Sequence, residues 1–401
     1  MKSKLKAFFA KPGTKSVISS LLCIAAGIFV GWLVLLVLAL TSDKIPISHA
    51  FKGLGIILAG PFASGGSKNI AFVLGDMLFE AAPLMLTGLS VAIAFKTGLF
   101  NIGAPGQYLM GAMGSVIVAL AIPTTPQTAF FVWLLALLVG MMCGMIWGMI
   151  PGFFKAVLGV NEVIVCIMTN WIAANVVSWV FFNHQEFVNN AGGKSAYTLP
   201  TTSNGIATPK LGLDKIFPGS NIDIGIFIAI GVAIFIFILL NKTTLGYELK
   251  ACGHNKNAAK YAGMSEKRNI VLSMAIAGGL AALGASLYYL NGGAELAWNT
   301  YSKLPDTGFN GIPAALLASN NPLGVVFSSV FLRFIDKGGY NLAGFTAYNE
   351  YVSDLIIAVI IYFAGFAKLI HELLSRRKTA KKQKAQVKQS DTAKGKEEEN
   401  K

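Results

Sequence analysis

Eight stretches of this chain run for about twenty residues or more with almost no charge, the length that crosses the roughly 30 Å core of a bilayer. They fall near 17–40, 70–95, 102–122, 128–150, 162–183, 222–241, 269–290 and 352–371. A further apolar stretch, 308–335, is interrupted by Gly and Pro and has room for two short helices hinged at "NNPLG", Asn320 to Gly324. The spacing predicts an all-α polytopic membrane protein with about ten membrane segments, two of them forming a broken, re-entrant hairpin. Composition agrees. Charged residues are 13% of the chain and hydrophobic residues 54%, where a soluble domain carries about a quarter charged.

The net charge of +14 does not mark a nucleic-acid binder, because it gathers at the chain ends. Lys2, Lys4, Lys6, Lys11 and Lys15 precede the first acid, Asp43, and the stretch Arg376 to Lys401 holds ten basic and four acidic residues. Such clusters set topology. The first apolar run is about 24 residues, longer than the roughly 7–15 of a signal peptide core, and reads as an uncleaved span. Three parts follow: a basic N-terminus at 1–16, a membrane domain at 17–371, and a basic tail at 372–401 whose composition predicts disorder. With the N-terminal lysines in the cytoplasm, the loop 242–268 falls inside. It carries six basic residues against Glu248 and Glu266, while the loop 184–221, with three lysines, falls outside. The tail is cytoplasmic too if the hairpin returns to the outer face.

Catalytic chemistry is hard to find. His49, His184, His254 and His371 lie in loops or at a span end, without a His or Cys at metal-ligand spacing, and the four cysteines read as small core residues. "GPFASGGSK", Gly60 to Lys68, lacks P-loop spacing because Gly66 stands where Lys is needed. Charges near span interiors are few: Asp76, Glu80 and Arg333, with Glu162, Asp223 and Asp354 at span ends. These read as interfacial charges or as a polar vestibule. The remaining polar groups in or beside the spans are amides: Asn101, Gln107, Asn170, Asn175, Asn310 and Asn320. Amides can bond a neutral polar solute without a buried charge, or can bond helix to helix.

Two segments share a broken character. "GLFNIGAPGQYLMGAM", Gly98 to Met113, and "TGFNGIPAALLASNNPLG", Thr307 to Gly324, each place Gly and Phe before Asn, then Gly and Pro, then an apolar helix. Non-helical backbone at membrane depth is tolerated where protein encloses it or it lines a watery cavity. Paired breaks in corresponding halves suggest an internal inverted repeat with a solute site between the repeats.

Four stretches, in order, resemble one family. "PLMLTGLSVAIAFKTGLFNIGAPGQYLMGA" (Pro83 to Ala112), "NEVIVCIMTNWIA" (Asn161 to Ala173), "GYELKACGHNKNAAKYAGMSEKR" (Gly246 to Arg268) and "GFNGIPAALLASNNPLG" (Gly308 to Gly324) are similar to permease subunits of bacterial ABC importers for nucleosides. That branch also holds ribose and branched-chain amino-acid permeases. The chain departs from it at Pro105, where the family often has an acid, and at Asn310, where it often has Asp.

The resemblance implies a permease subunit in the bacterial plasma membrane with both termini cytoplasmic. It implies a second, homologous permease forming a heterodimer, a cytoplasmic ABC ATPase that binds ATP and Mg, and an extracellular substrate-binding lipoprotein. No cofactor is expected in this chain, which is then not itself an enzyme. The expected solute-pathway residues are Asn101, Gly103, Gly106, Gln107, Asn170, Asn310, Gly311 and Asn320. The expected ATPase-coupling residues are Asn257, Ala258, Ala259, Tyr261 and Gly263, forming a short helix ended by the glycine, with Ser265 capping the next span. Permeation of ribose-like sugars or branched-chain amino acids is the alternative in the same class, and a stand-alone carrier or channel the alternative outside it.

Overall fold

The computed structural model describes residues 12–42, 44–63, 70–190, 193–299, 303–349 and 351–366. The lysines at 2, 4, 6 and 11, the Ser64–Lys68 part of the glycine-rich stretch and the tail at 372–401 lie outside them. Among the described residues the chain is helical, with two isolated β-bridges and no strand. Seven helices are long and apolar enough to cross a membrane, and one bent pair brings the number up to eight. The sequence suggested about ten. The difference lies in the hairpin, whose legs share one bent unit, and in the last helix, Tyr351–Gly365, which at 15 residues is shorter than a span needs.

In chain order the helices are α1 (Pro12–Thr41), α2 (Ser48–Ala59), α3 (Ile70–Lys96), α4 (Ala104–Ala121), α5 (Ala129–Leu158), α6 (Glu162–Asn183) and α7 (Gly225–Lys242). They continue with α8 (Thr244–His254), α9 (Lys256–Tyr261), α10 (Glu266–Tyr289), α11 (Asp306–Leu317), α12 (Pro322–Phe345) and α13 (Tyr351–Gly365). The sequence did not suggest α2. It is short, and Lys52 and two glycines dilute its apolar face, which buries Ile56 and Ile57 in a side core with Leu35, Ile335 and Ile356.

The centre of the bundle is α3 and α10, whose residues are mostly buried. Lipid gives helices no hydrophobic reason to associate, so close packing must hold them, and close packing needs small residues. Along α5, Gly140, Gly144, Gly148 and Gly152 fall one per turn. A Cβ on Gly144 would collide with Ala282 and with the Gly278 carbonyl of α10, and one on Gly278 with the Gly144 carbonyl. The two backbones therefore touch directly.

One end of the bundle carries Lys96, Lys155, Lys242 and the α8–α9 loop. Here Gly98, at φ +74°, turns the chain out of α3 with its Cβ position 3.1 Å from the Gly253 Cα. Thr97 and Ser273 join hydroxyls at 2.8 Å. Thr243 caps α8 and Asn255 caps α9, accepting from Gly246 N and Ala258 N at 3.1 Å each. Gly263, at φ +80°, follows α9 as expected. Ser265 occupies the N-cap of α10, yet its side chain makes no capping bond, contrary to the sequence reading.

At the opposite end the described residues of the 184–224 loop, 184–190 and 193–224, form a cap. Thr198 N donates to Leu296 O at 2.9 Å and Trp298 N to Ala196 O at 3.1 Å. Asn204 Nδ2 donates to the Ala119 and Ile122 carbonyls at 2.7 Å, closing the end of α4, and Asn221 N donates to Asp76 at 2.9 Å.

The α11–α12 pair bends by 119°. Ser319 and Asn320 take left-handed φ values of 52° and 57° at the turn. Asn321 then caps α12, accepting from Leu323 N at 3.0 Å, with Pro322 in the first turn. The break thus lies at Ala318–Asn321, and Gly308 to Pro313 is helical. The far end of α12 returns to the cap side beside α2, where Lys52 Nζ donates to Phe345 O at 3.0 Å.

A methyl or larger group in the α5–α10 seam should overpack it at a cost of about 1–3 kcal/mol. Gly278→Val is therefore expected to lower the thermal unfolding midpoint in detergent. Gly231→Ala on α7, where an added Cβ meets nothing within 4 Å, should leave it unchanged or raised.

Candidate functional site

The first break ends in a knot of buried amides. Asn101, Gln107 and Asn170 are 0%, 1% and 2% exposed. Asn101 Nδ2 donates to Gln107 Oε1 at 2.8 Å while Gln107 Nε2 donates back to Asn101 Oδ1 at 3.1 Å. Asn101 also donates to Ser90 of α3 at 3.0 Å and accepts from Gly103 N at 3.2 Å. Asn170 of α6 takes the Gly106 N–H at 2.9 Å and gives an N–H to Ile102 O at 2.9 Å. Backbone groups freed at a helix start need such partners when water is excluded. A Cβ at Gly106 would lie 2.8 Å from Asn170 Cα, so glycine permits the approach. The structure thus brings Asn101, Gly103, Gly106, Gln107 and Asn170 together. The side chains of Asn101 and Gln107 spend their bonds on the protein, while Asn170 also borders a cavity of about 310 Å³ shared with Ile102, Trp171 and Phe309.

The second broken segment meets the first. A Cβ on Gly308, in the first turn of α11, would lie 2.5 Å from Pro105 Cα, in the first turn of α4. Gly311 is equally tight against α3, its Cβ position 2.6 Å from the Thr87 carbonyl carbon. Asn310, on the other side of α11, is exposed and lines a cavity of about 750 Å³ between α3, the hairpin and α13. Asn320, at the hairpin turn, is half-buried, does not line that cavity, and its Oδ1 has no partner.

Charge gathers in this cavity. Lys337 Nζ bonds Glu80 Oε1 at 2.8 Å, Arg333 bonds Asp336 at 2.9 Å, and Arg333 also stands 3.9 Å from Glu80. Glu80 lies on α3 sixteen residues before Lys96, about 24 Å along the helix. The sequence offered Glu80 and Arg333 as separate charges and did not single out Asp336 or Lys337. Their signal was the one-turn spacing of Arg333, Asp336 and Lys337, which puts all three on one side of α12. Tyr288 also lines the cavity and stacks on Phe79, ring centroids 5.2 Å apart.

On the α8–α9 side, Asn257 and Ala258 are exposed, Ala259 is buried and Gly263 is exposed. Tyr261 is 94% exposed, an aromatic knob with nothing packed on it from its own chain.

Residues 73–365 match the model of the family described as branched-chain amino acid transport system / permease component. The chain belongs to that family. It is 33% identical to the nucleoside ABC transporter permease protein NupB of Lactococcus lactis, over 82% of this chain and 88% of the relative. It is also 33% identical to the guanosine ABC transporter permease protein NupP of Bacillus subtilis, over 77% and 85%. A glucose ABC transporter permease of Haloferax volcanii is 30% identical over 73% and 76%. No solved structure matches with significance. The chain is a multi-pass membrane permease component. The family match takes in both broken segments, the amide knot and the charged cavity, and leaves out α1 and α2.

Replacing Asn170 with Leu leaves the Gly106 N–H and the Ile102 carbonyl without partners, at about 1–3 kcal/mol for each buried group. Asn170→Leu should lower the unfolding midpoint in detergent clearly. Asn175→Leu, which loses only a bond to the Trp171 carbonyl of its own helix, should shift it little.

Proposed function

We propose that this chain is the membrane-spanning permease subunit of an ATP-driven importer and that its solute is a nucleoside. The observation that carries the solute class is the 33% identity to nucleoside and guanosine permeases across most of both chains. The glucose permease relative at 30% identity makes a sugar the second reading.

A second permease completes the pathway. The chain also matches the nucleoside permease NupC of the same Lactococcus and the guanosine permease NupQ of the same Bacillus, each 24% identical over 66% of this chain. Two related permeases therefore occur together in both organisms, which supports a heterodimer. ATP and Mg belong to a separate ATPase, and a lipid-anchored binding protein delivers solute outside. The basic end of the bundle faces the cytoplasm, because positively charged loops stay inside, and the cap faces out.

Coupling follows contacts within the chain. Tyr261, with Asn257 and Ala258 beside it, docks on the ATPase, and Gly263 frees the chain to turn back. Movement of α8 and α9 reaches the first break through the close approach of Gly253 to Gly98 and the Thr97–Ser273 bond. From there the amide knot holds the start of α4, and Pro105 presses on Gly308 of the hairpin. A tilt of α11 then changes the width of the cavity lined by Asn310. Asn101, Gln107 and Asn170 act as the rigid part of this linkage, and Gly103, Gly106 and Gly311 allow the backbone contacts that transmit it.

Uptake of labelled nucleoside into cells depleted of ATP, with ion gradients intact, tests the reading. Uptake is expected to stop. Unchanged uptake would rule out ATP drive and favour a stand-alone carrier, and uptake of glucose with no nucleoside would favour the sugar reading.

A further inference from the structure

The 750 Å³ cavity is unusual for what surrounds it. Ionisable groups inside a spanning helix are costly and tend to mark a solute path, yet four carboxylates and two cations line this space, Glu80, Arg333 and Asp336 from within α3 and α12 and the others from near the starts of α11 and α13. The carboxylates are Glu80, Asp306, Asp336 and Asp354, and the lining cations are Lys303 and Arg333; with Lys337, which pairs Glu80 at 2.8 Å, the group is net negative by one charge. All three cations already have acidic partners: Arg333 holds Asp336 and Lys303 holds Asp306, each at 2.9 Å, and Lys337 holds Glu80 at 2.8 Å. A phosphate entering here would meet an excess of like charge and, among the described lining residues, no cation without a carboxylate partner. A neutral solute bearing hydroxyls would meet carboxylate oxygens able to accept from them.

Three further features suit such a solute. Arg333 Nε is buried and has no hydrogen-bond partner, an unfilled donor of the kind that native structures rarely leave without a reason. Asn310 presents an amide that both donates and accepts, which fits the mixed edge of a heterocyclic base. Tyr288 and Phe309 supply aromatic surface in the same lining. The volume falls within the roughly 300–1,000 Å³ usual for small-molecule sites.

We propose that this cavity is a binding site within the permease for an unphosphorylated, ribose-bearing solute, with Glu80 and Asp336 accepting from its hydroxyls, Arg333 donating to a hydroxyl oxygen and Asn310 reading the base. The proposal rests on the nucleoside reading above. Its consequence is a second selection after delivery: nucleosides pass and their phosphates do not.

The test is photolabelling of the assembled importer in membrane vesicles with an azido-adenosine probe, followed by mapping of the labelled peptides. Label is expected within 303–313 or 333–336, displaced by excess adenosine and not by the same concentration of adenosine monophosphate. Losing one hydrogen bond to a charged group or amide corresponds to about tenfold in occupancy. Glu80→Gln and Asn310→Leu should each reduce labelling about that much while the ATPase still co-purifies. Asn310 is exposed in the cavity, so its variant keeps the test open if Glu80→Gln disrupts folding. Label elsewhere in the chain, or equal displacement by the monophosphate, overturns the site. Nucleoside uptake that proceeds without label in this cavity leaves the nucleoside reading standing and removes the site. An importer that takes up no nucleoside removes both.

Discussion

Gly140, Gly144, Gly148 and Gly152 of α5 face Met274, Gly278, Ala282 and Ser286 of α10, and a Cβ at Gly144, Gly148 or Gly278 would strike the backbone of the opposite helix. In lipid this kind of contact, rather than burial of apolar surface from water, keeps helices together. The rest of the bundle is arranged around it. With one face of α10 pressed on α5, its other faces meet α3 and α4, and Gly284 packs on Pro83 of α3. The hairpin then leans on α3 through Gly311 and on α4 through Gly308. Small residues thus set each approach from the centre out to the cavity wall.

Polar chemistry is layered on that frame in two ways. Near the end that carries the α8–α9 loop the amides of Asn101, Gln107 and Asn170 are spent inward, satisfying each other and the backbone of the first break. Toward the cap the charges of Glu80, Arg333, Asp336 and Lys337 are spent across the boundary of α3 and α12, with Asn310 left free to the cavity. The knot has no net charge and is buried, while the charged cluster is partly exposed. The contrast separates amides bonded to backbone from charges bordering a cavity, and the Gly308–Pro105 contact joins the two regions.

Much of this was legible in the sequence. Hydropathy located the long spans because lipid demands about twenty apolar residues whatever the packing. Asn320–Gly324 marked the hairpin turn within a few residues, since Asn tolerates left-handed backbone and Pro cannot continue a helix. Asn257 to Ala262 read as a helix closed by Gly263 for the same local reasons. The roles of individual amides were not legible. Whether Asn101 faces water or Gln107 depends on which helix packs beside it. The charged cluster was hidden because Glu80 and Lys337 are 257 residues apart in sequence. The α5 seam was readable from its four-residue glycine spacing, but those glycines fall in an uninterrupted apolar run and draw attention only when packing is sought. The fold of the 184–224 cap was likewise unreadable, because a polar loop folds on partners supplied by residues 291–298.

The central claim is that Asn310 faces a watery conduit while the neighbouring amide knot is closed. Single cysteines at Asn310, Pro313, Gln107 and Asn101, in a chain with Cys23, Cys143, Cys166 and Cys252 replaced, test it through reaction with a membrane-impermeant thiol reagent in the assembled importer. Rapid labelling is expected at 310 and 313, slowed by added nucleoside, and none at 101 and 107. Shielding at 310 and 313 in every nucleotide state, or open access at 101 and 107, would contradict it.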